Sequence, residues 1–161
     1  MVQIPQTDYA GAQKVGFAGQ LVSRPEHSVI ASRYCATELG FGEGVLREAT
    51  DAQTVELPSG TFAAGLFEGV VLKHAQHNSA TTKDVDEDEF FSCLREGQCW
   101  VIVEDAVSRG DQLFLRHTAN GGNDPGGFRS DADTNRAVQV PVHVMQDAAA
   151  GAPCLVEVRR A

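Results

Sequence analysis

The sequence is poor in aromatic side chains, with one Trp and two Tyr among its 161 residues. An open sugar-binding platform, which needs several exposed rings, is hard to build from that supply. Cationic charge is also scarce, since 13 Lys plus Arg stand against 22 Asp plus Glu and leave a formal charge of −9. Polyphosphate and anionic lipid repel so acidic a chain, which argues against nucleic-acid and membrane partners. No apolar run approaches the roughly 18 residues of a membrane span, and Met1-Val2-Gln3-Ile4-Pro5-Gln6 lacks the basic flank and apolar stretch of a secretory leader. The expectation is a chain that is cytosolic where it is made. The four cysteines, Cys35, Cys93, Cys99 and Cys154, show no C-x-x-C spacing and read as reduced, half-buried small hydrophobes. Cys93 and Cys99 flank Arg95-Glu96-Gly97-Gln98, and whether a turn there makes them face each other depends on its length.

Catalytic and metal-binding patterns are equally thin. Asp84-Val85-Asp86-Glu87-Asp88 imitates the opening of a calcium loop, but Glu89 stands where the sharp turn needs glycine and Arg95 where a bidentate glutamate is needed. Asp131-Ala132-Asp133-Thr134-Asn135 fails in the same way, with Arg136 and Val142 at those positions. His74 and His77 follow a strand-like run, where a spacing of three does not bring two imidazoles together. Ser59 lies in the turn Leu57-Pro58-Ser59-Gly60 without a nucleophile elbow, and Gly40-Phe41-Gly42-Glu43-Gly44 lacks dinucleotide-site spacing. Arg109-Gly110-Asp111 suits a strand connection. The chain therefore reads as no enzyme, with no catalytic residue, metal or cofactor.

What the sequence does have is valine, 18 times, with 16 glycines, a bias toward strands and turns. Short apolar runs alternate with turn residues, and no helical period persists for three turns. In Ala137 to Val144, Val138, Val140, Val142 and Val144 share one face, and Pro141, which cannot donate to a ladder, predicts an edge strand or one side of a bulge. Cys154 to Arg159 alternates similarly. Phe90 to Arg95 and Gln98 to Glu104 read as a hairpin, followed by Gln112 to His117. Ser28 to Thr37, Gly44 to Arg47, Thr54 to Leu57 and Gly65 to Lys73 complete the set. The expected fold is mainly β, a single sandwich or barrel, jelly-roll-like, of about nine strands.

Two segments read as polar loops projecting from the β domain of residues 21–161, one at 78–89 and one at 119–133. Residues 1–20 read as an extended N-terminal arm whose spaced apolar residues, Ile4, Tyr9, Val15 and Phe17, are too few for a core of their own. Those four, with Asp86 and Asp88 of the acidic loop, are the candidate partner-binding residues. An acidic β body with an arm and long loops, and no catalytic set, suits a protein that binds another protein's surface.

The chain resembles the structural cement or head-decoration proteins of tailed bacteriophages. The residues that carry the resemblance are Gly16-Phe17-Ala18-Gly19-Gln20, Val29-Ile30-Ala31-Ser32-Arg33, Phe41-Gly42-Glu43-Gly44-Val45, and the stretch from Leu94 to Val107 running into Gly110 to Arg116. Gly127-Phe128-Arg129-Ser130-Asp131-Ala132-Asp133 and the small residues before the last valine-rich strand complete the order. The resemblance spans about Gly16 to Arg160. It implies a β protein on the outside of an assembled capsid, in the virion, with the major capsid protein as partner and a homodimer or homotrimer as the working form. A phage tail or receptor-binding β module recognising carbohydrate is the alternative.

Overall fold

The computed structural model describes residues 15–22, 27–74 and 83–159. Nine strands follow in chain order: β1 (Val29–Cys35), β2 (Gly44–Arg47), β3 (Thr54–Glu56), β4 (Phe67–Val71), β5 (Phe90–Ile102), β6 (Gln112–Arg116), β7 (Phe128–Arg129), β8 (Ala137–Val144) and β9 (Pro153–Val158). A 3-10 turn, Ala64–Leu66, precedes β4.

The strands run β1-β3-β2-β4-β5, and β5 pairs back with β1, so five strands close into a barrel. Of sandwich and barrel, the structure is the barrel, with extra strands: from β5 the sheet continues β9-β8-β6-β7. The far edge, β7, returns toward the continuation of β5 through a parallel bridge between Val103 and Phe128, and the Glu104 N–H donates to the Phe128 carbonyl at 2.9 Å. Closing the sheet in this way hides backbone edges that would otherwise invite foreign strands.

β5 is the stave common to both halves. The expected hairpin at Arg95-Glu96-Gly97-Gln98 does not form, and residues 90–102 are one strand. Its first part pairs with β1 and β4, and Gly97 to Ile102 pair with β9. Gly97, at φ 126, takes a backbone conformation open to glycine where the strand passes from one half to the other. The polar tetrapeptide that resembled a turn is this crossing point. Cys93 and Cys99 therefore lie along one strand, and all four cysteines are buried and free.

Each half has its own apolar interior. Cys35, Leu39, Val45, Val55, Val71, Val85, Phe91 and Cys93 fill one cluster. The larger one gathers Leu94, Cys99, Val101, Leu113, Leu115, Phe128, Val140, Val142 and Val156 among others. Alternation along β9 buries Cys154, Val156 and Val158 as its sequence pattern requires.

In β8, Val140, Val142 and Val144 point inward as expected, but Val138 does not and Ala137 takes the buried place. The cause is a register shift against β6, where Gln112 pairs with His143 but Phe114 with Gln139. Pro141 sits in that bulge, and the Gln112 amide donates to the Val140 carbonyl at 3.0 Å. The edge-strand option is overturned, because β8 lies between β6 and β9.

Candidate functional site

Val15 to Val22, at the end of the expected arm, run along the body. The Gly19 N–H donates to the Trp100 carbonyl at 2.8 Å, the Trp100 N–H to the Gln20 carbonyl at 3.0 Å and the Val22 N–H to the Gln98 carbonyl at 2.9 Å. On its other side the Gly19 carbonyl accepts from the Lys73 N–H at 2.8 Å. Gly16 lies so close to the Trp100 indole that a Cβ there would overlap the ring. Val15 and Phe17 remain 64% and 50% exposed. The Lys73 ammonium stands 4.7 Å above the Phe17 ring and 5.8 Å from that of Phe41. Ile4 and Tyr9 lie outside the described residues.

Phe41 continues this face. Its N–H donates to Asp84 Oδ2 at 2.8 Å, and with Gly42 and the 42% exposed Ile102 it lines a cleft of about 270 Å³. The glycine-rich loop lines it too, through Gly122, Asn123, Asp124, Gly126 and Gly127, as do Glu43 and Glu104. The tip of that loop, Asn120-Gly121-Gly122-Asn123, is a two-residue hairpin: Gly121 and Gly122 have φ 61 and 91, and Asn120 and Asn123 exchange N–H···O bonds at 3.1 and 3.0 Å. This turn, legible in Asn-Gly-Gly-Asn, was missed within the expected polar loop.

The loop is fastened to both halves. The Gly126 carbonyl accepts from the Gly44 N–H at 2.9 Å, and its N–H donates to the Arg116 carbonyl at 3.0 Å. Beneath it lies Arg116, 0% exposed. Its guanidinium grips Glu104 bidentately at 2.7 and 2.6 Å, and reaches Asp133 Oδ2 at 2.9 Å and the Thr118 carbonyl at 3.0 Å. Arg129 adds contacts to Glu104 at 3.3 Å, Asp105 at 3.4 Å, Asp131 at 2.7 Å and Asp133 at 3.2 Å. The Arg116 hydrogen bond, then that of Asn120, holds the Asp133 carboxyl below its ordinary range. Residues 119–133 are therefore tied down along much of their length, with Asn120 itself donating to Asp133 at 3.1 Å, while Gly121 to Asp124 are exposed.

Of the acidic loop, residues 78–82 lie outside the described residues, and the described part, 83–89, is held against the body. Val85 is fully buried and exchanges backbone hydrogen bonds with Leu39 at 2.9 Å each way. Asp86 accepts the Cys35 thiol at its carbonyl at 2.9 Å, and Asp88, left-handed at φ 66, bonds the Tyr34 hydroxyl. Among the described candidates, those contacts place Asp86 and Asp88 against the end of β1, whereas Phe17 meets Lys73. The half-buried Phe41 and the exposed Ile102 were missed because an apolar residue left partly in water inside a strand or turn looks like any other in sequence.

A second ionic group, Glu68 with Arg33 and Arg95, links β4, β1 and β5. Burial pushes the Cys99 thiol up to about 12 and that of Cys154 to about 11, which leaves both poor nucleophiles. His117 is buried, with Nδ1 2.9 Å from the Thr118 hydroxyl, and desolvation lowers its pKa. Among the described residues no three His, Cys, Asp or Glu side chains converge as metal ligands.

A doubly closed β body whose buried charges serve structural ion pairs, and which leaves an apolar face beside a cleft, has the anatomy of a structural binding protein. The chain belongs to the phage family described as "Structural cement protein (E217 gp24/Pam3 gp6)", whose model matches residues 4–160. It is thus a capsid cement or decoration protein, a structural component of the virion. In fold it is similar to a chain from "The capsid of Myoviridae Phage XM1", with TM-score 0.70 and 14% identity over 94% of each chain. It is also similar to the head fiber gp8.5 N base of bacteriophage phi29, with TM-score 0.49 and 14% identity over 83% of this chain and 96% of that one. No curated protein matches it.

Proposed function

We propose that the protein binds the outer surface of an assembled phage head and bridges neighbouring major capsid protein subunits. The observation that carries this reading is the family match over residues 4–160. The exposed face of Val15, Phe17 and Ile102 gives it a physical basis, because apolar area left in water at fixed positions is available to stabilise a contact. Ile4 and Tyr9 extend that grip along the shell, and Asp86 and Asp88 make polar contacts at its margin. A head repeats each junction many times, so modest affinity at each contact, multiplied across two or more subunits, is enough to staple the shell. A homodimer or homotrimer would match symmetric junctions. The role is non-enzymatic and uses no cofactor. The chain is made in the host cytoplasm and joins the head there.

Co-sedimentation with purified heads tests the reading. Saturable binding that raises the temperature at which heads release DNA supports it. Heads that pellet without the protein at any loading would refute it. Light scattering of the free and the released protein checks the oligomer, and monomer in both would remove that part.

A further inference from the structure

We propose that the cleft between Phe41 and the glycine-rich loop is a socket for one lysine or arginine side chain on an extended segment of the shell protein. The inference rests on the cement reading and assigns the chemistry of one contact. Three properties of the cleft select this occupant.

The first is shape. Phe41 and the exposed Ile102 line it with apolar side chains, and Gly122, Gly126 and Gly127 line it with backbone. Gly126 has φ 94, and a Cβ there would stand 2.8 Å from Leu57. A Cβ on Gly127 would overlap Glu104. Gly126 and Gly127 thus let the loop backbone sit close to the body, and the side chains that the loop brings to the cleft are the polar ones of Asn123 and Asp124, a slot suited to a long unbranched side chain with a polar head.

The second is charge. Glu43, Glu104 and Asp124 line the same cleft. Glu43 is engaged by Lys83 and by the Gly40 N–H at 2.8 Å. Glu104 is shared by Arg116 and Arg129, but those two guanidiniums also serve Asp105, Asp131 and Asp133. Arg136 reaches only Asp133, at 3.9 Å. Four carboxylates against three guanidiniums leave an excess of negative charge, and the exposed Asp124 adds to it at the mouth. A basic side chain resolves both properties at once, with its methylene stem on Phe41 and Ile102 and its head at the carboxylates.

The third is exclusion. A second copy of this chain, at −9, brings like charge toward the rim, and an acidic shell segment does the same. A wholly apolar occupant would cover the exposed Asp124 without compensation. Lys73 already occupies the Phe17 and Phe41 ring faces, so the incoming cation is directed to the rim.

The full chain, labelled with nitrogen-15, is titrated with N-acetyl-arginine amide, N-acetyl-norleucine amide and N-acetyl-glutamate amide. The arginine compound is expected to shift the Ile102, Gly122, Gly126 and Gly127 amides in a saturable manner, with the other two causing less than a third of that shift. Asp124→Lys should abolish the response. Equal shifts with norleucine amide, or none with arginine amide, would overturn the socket. On purified heads, Asp124→Lys should weaken retention about tenfold at low salt, as like charge at an interface does, and Asp124→Asn less. Wild-type protein that fails to bind heads defeats the cement reading and leaves the titration to judge the cleft. Wild-type binding with undiminished Asp124→Lys retention defeats the socket alone.

Discussion

Arg116→Met tests how the glycine-rich loop is held. The wild-type guanidinium is wholly buried and makes four hydrogen bonds, two to Glu104, one to Asp133 and one to the Thr118 carbonyl. Methionine fills much of the space but strands Glu104, whose side chain is 9% exposed, with Arg129 alone at 3.3 Å. Breaking a buried pair from one side costs about 3–5 kcal/mol, mostly the penalty of the uncompensated charge. For a domain of this size that lowers the thermal midpoint by about 6–20 °C. The loss should be local first. Asp133, Thr134 and Asn135 are consecutive left-handed residues at φ 42, 55 and 63, a conformation that costs roughly 1–2 kcal/mol per residue and persists only while Asp133 is held. Hydrogen exchange should therefore speed up across Thr118 to Arg136 before the β5–β9 ladder is affected. In the double variant Glu104→Met with Arg116→Met, removal of both charges should recover more than half of the lost stability. Calorimetry and exchange read by mass spectrometry decide it. A single variant within 2 °C of wild type, or a double variant no better than the single, would refute the reasoning.

Three further outcomes follow from the geometry. Gly69, at φ 154, faces the Leu94 carbonyl so closely that a Cβ would overlap it, so Gly69→Ala should part β4 from β5 and cost about 3 kcal/mol or more in urea unfolding. Gly16→Val should lift the N-terminal segment off Trp100, the sole tryptophan, and red-shift its emission while the thermal midpoint falls by no more than about 5 °C. Acid should destabilise the fold in two windows. Burial lowers His117 below 6.5, so the unfolded chain binds the extra proton first and stability falls as pH drops from that value toward the folded pKa. Asp133 adds stability that is present above 3.8 and lost as pH falls through its lowered folded pKa. Urea midpoints at pH 7.5 and 5.5 should differ in wild type, and His117→Gln should flatten that upper window without removing the lower one.

Most strands could be read directly from the residues. The valines of β8 and β9 alternate because one face is buried, and that pattern is local to each strand. Glycine, polar turns and the absence of helical periodicity settled the all-β class, and the Pro141 bulge was one of two options a missing N–H allows. Pairing partners were not local. Arg95-Glu96-Gly97-Gln98 has the composition of a turn, and only the arrival of β1 and β4 on one part and β9 on the other makes it the middle of a 13-residue strand. Arg116 shows the same limit from the polar side. In sequence it ends an apolar strand as any exposed arginine might, and it is buried because Glu104, 12 residues earlier, and Asp133, 17 later, converge on it. That convergence holds the 119–133 loop against the body, where it lines one cleft with Phe41 and Ile102. Composition and period thus determined the class of fold and its net charge, because those depend on each residue's own chemistry. The common stave, the buried ion pairs and the cleft were decided by tertiary structure, since each depends on groups brought together from distant parts of the chain.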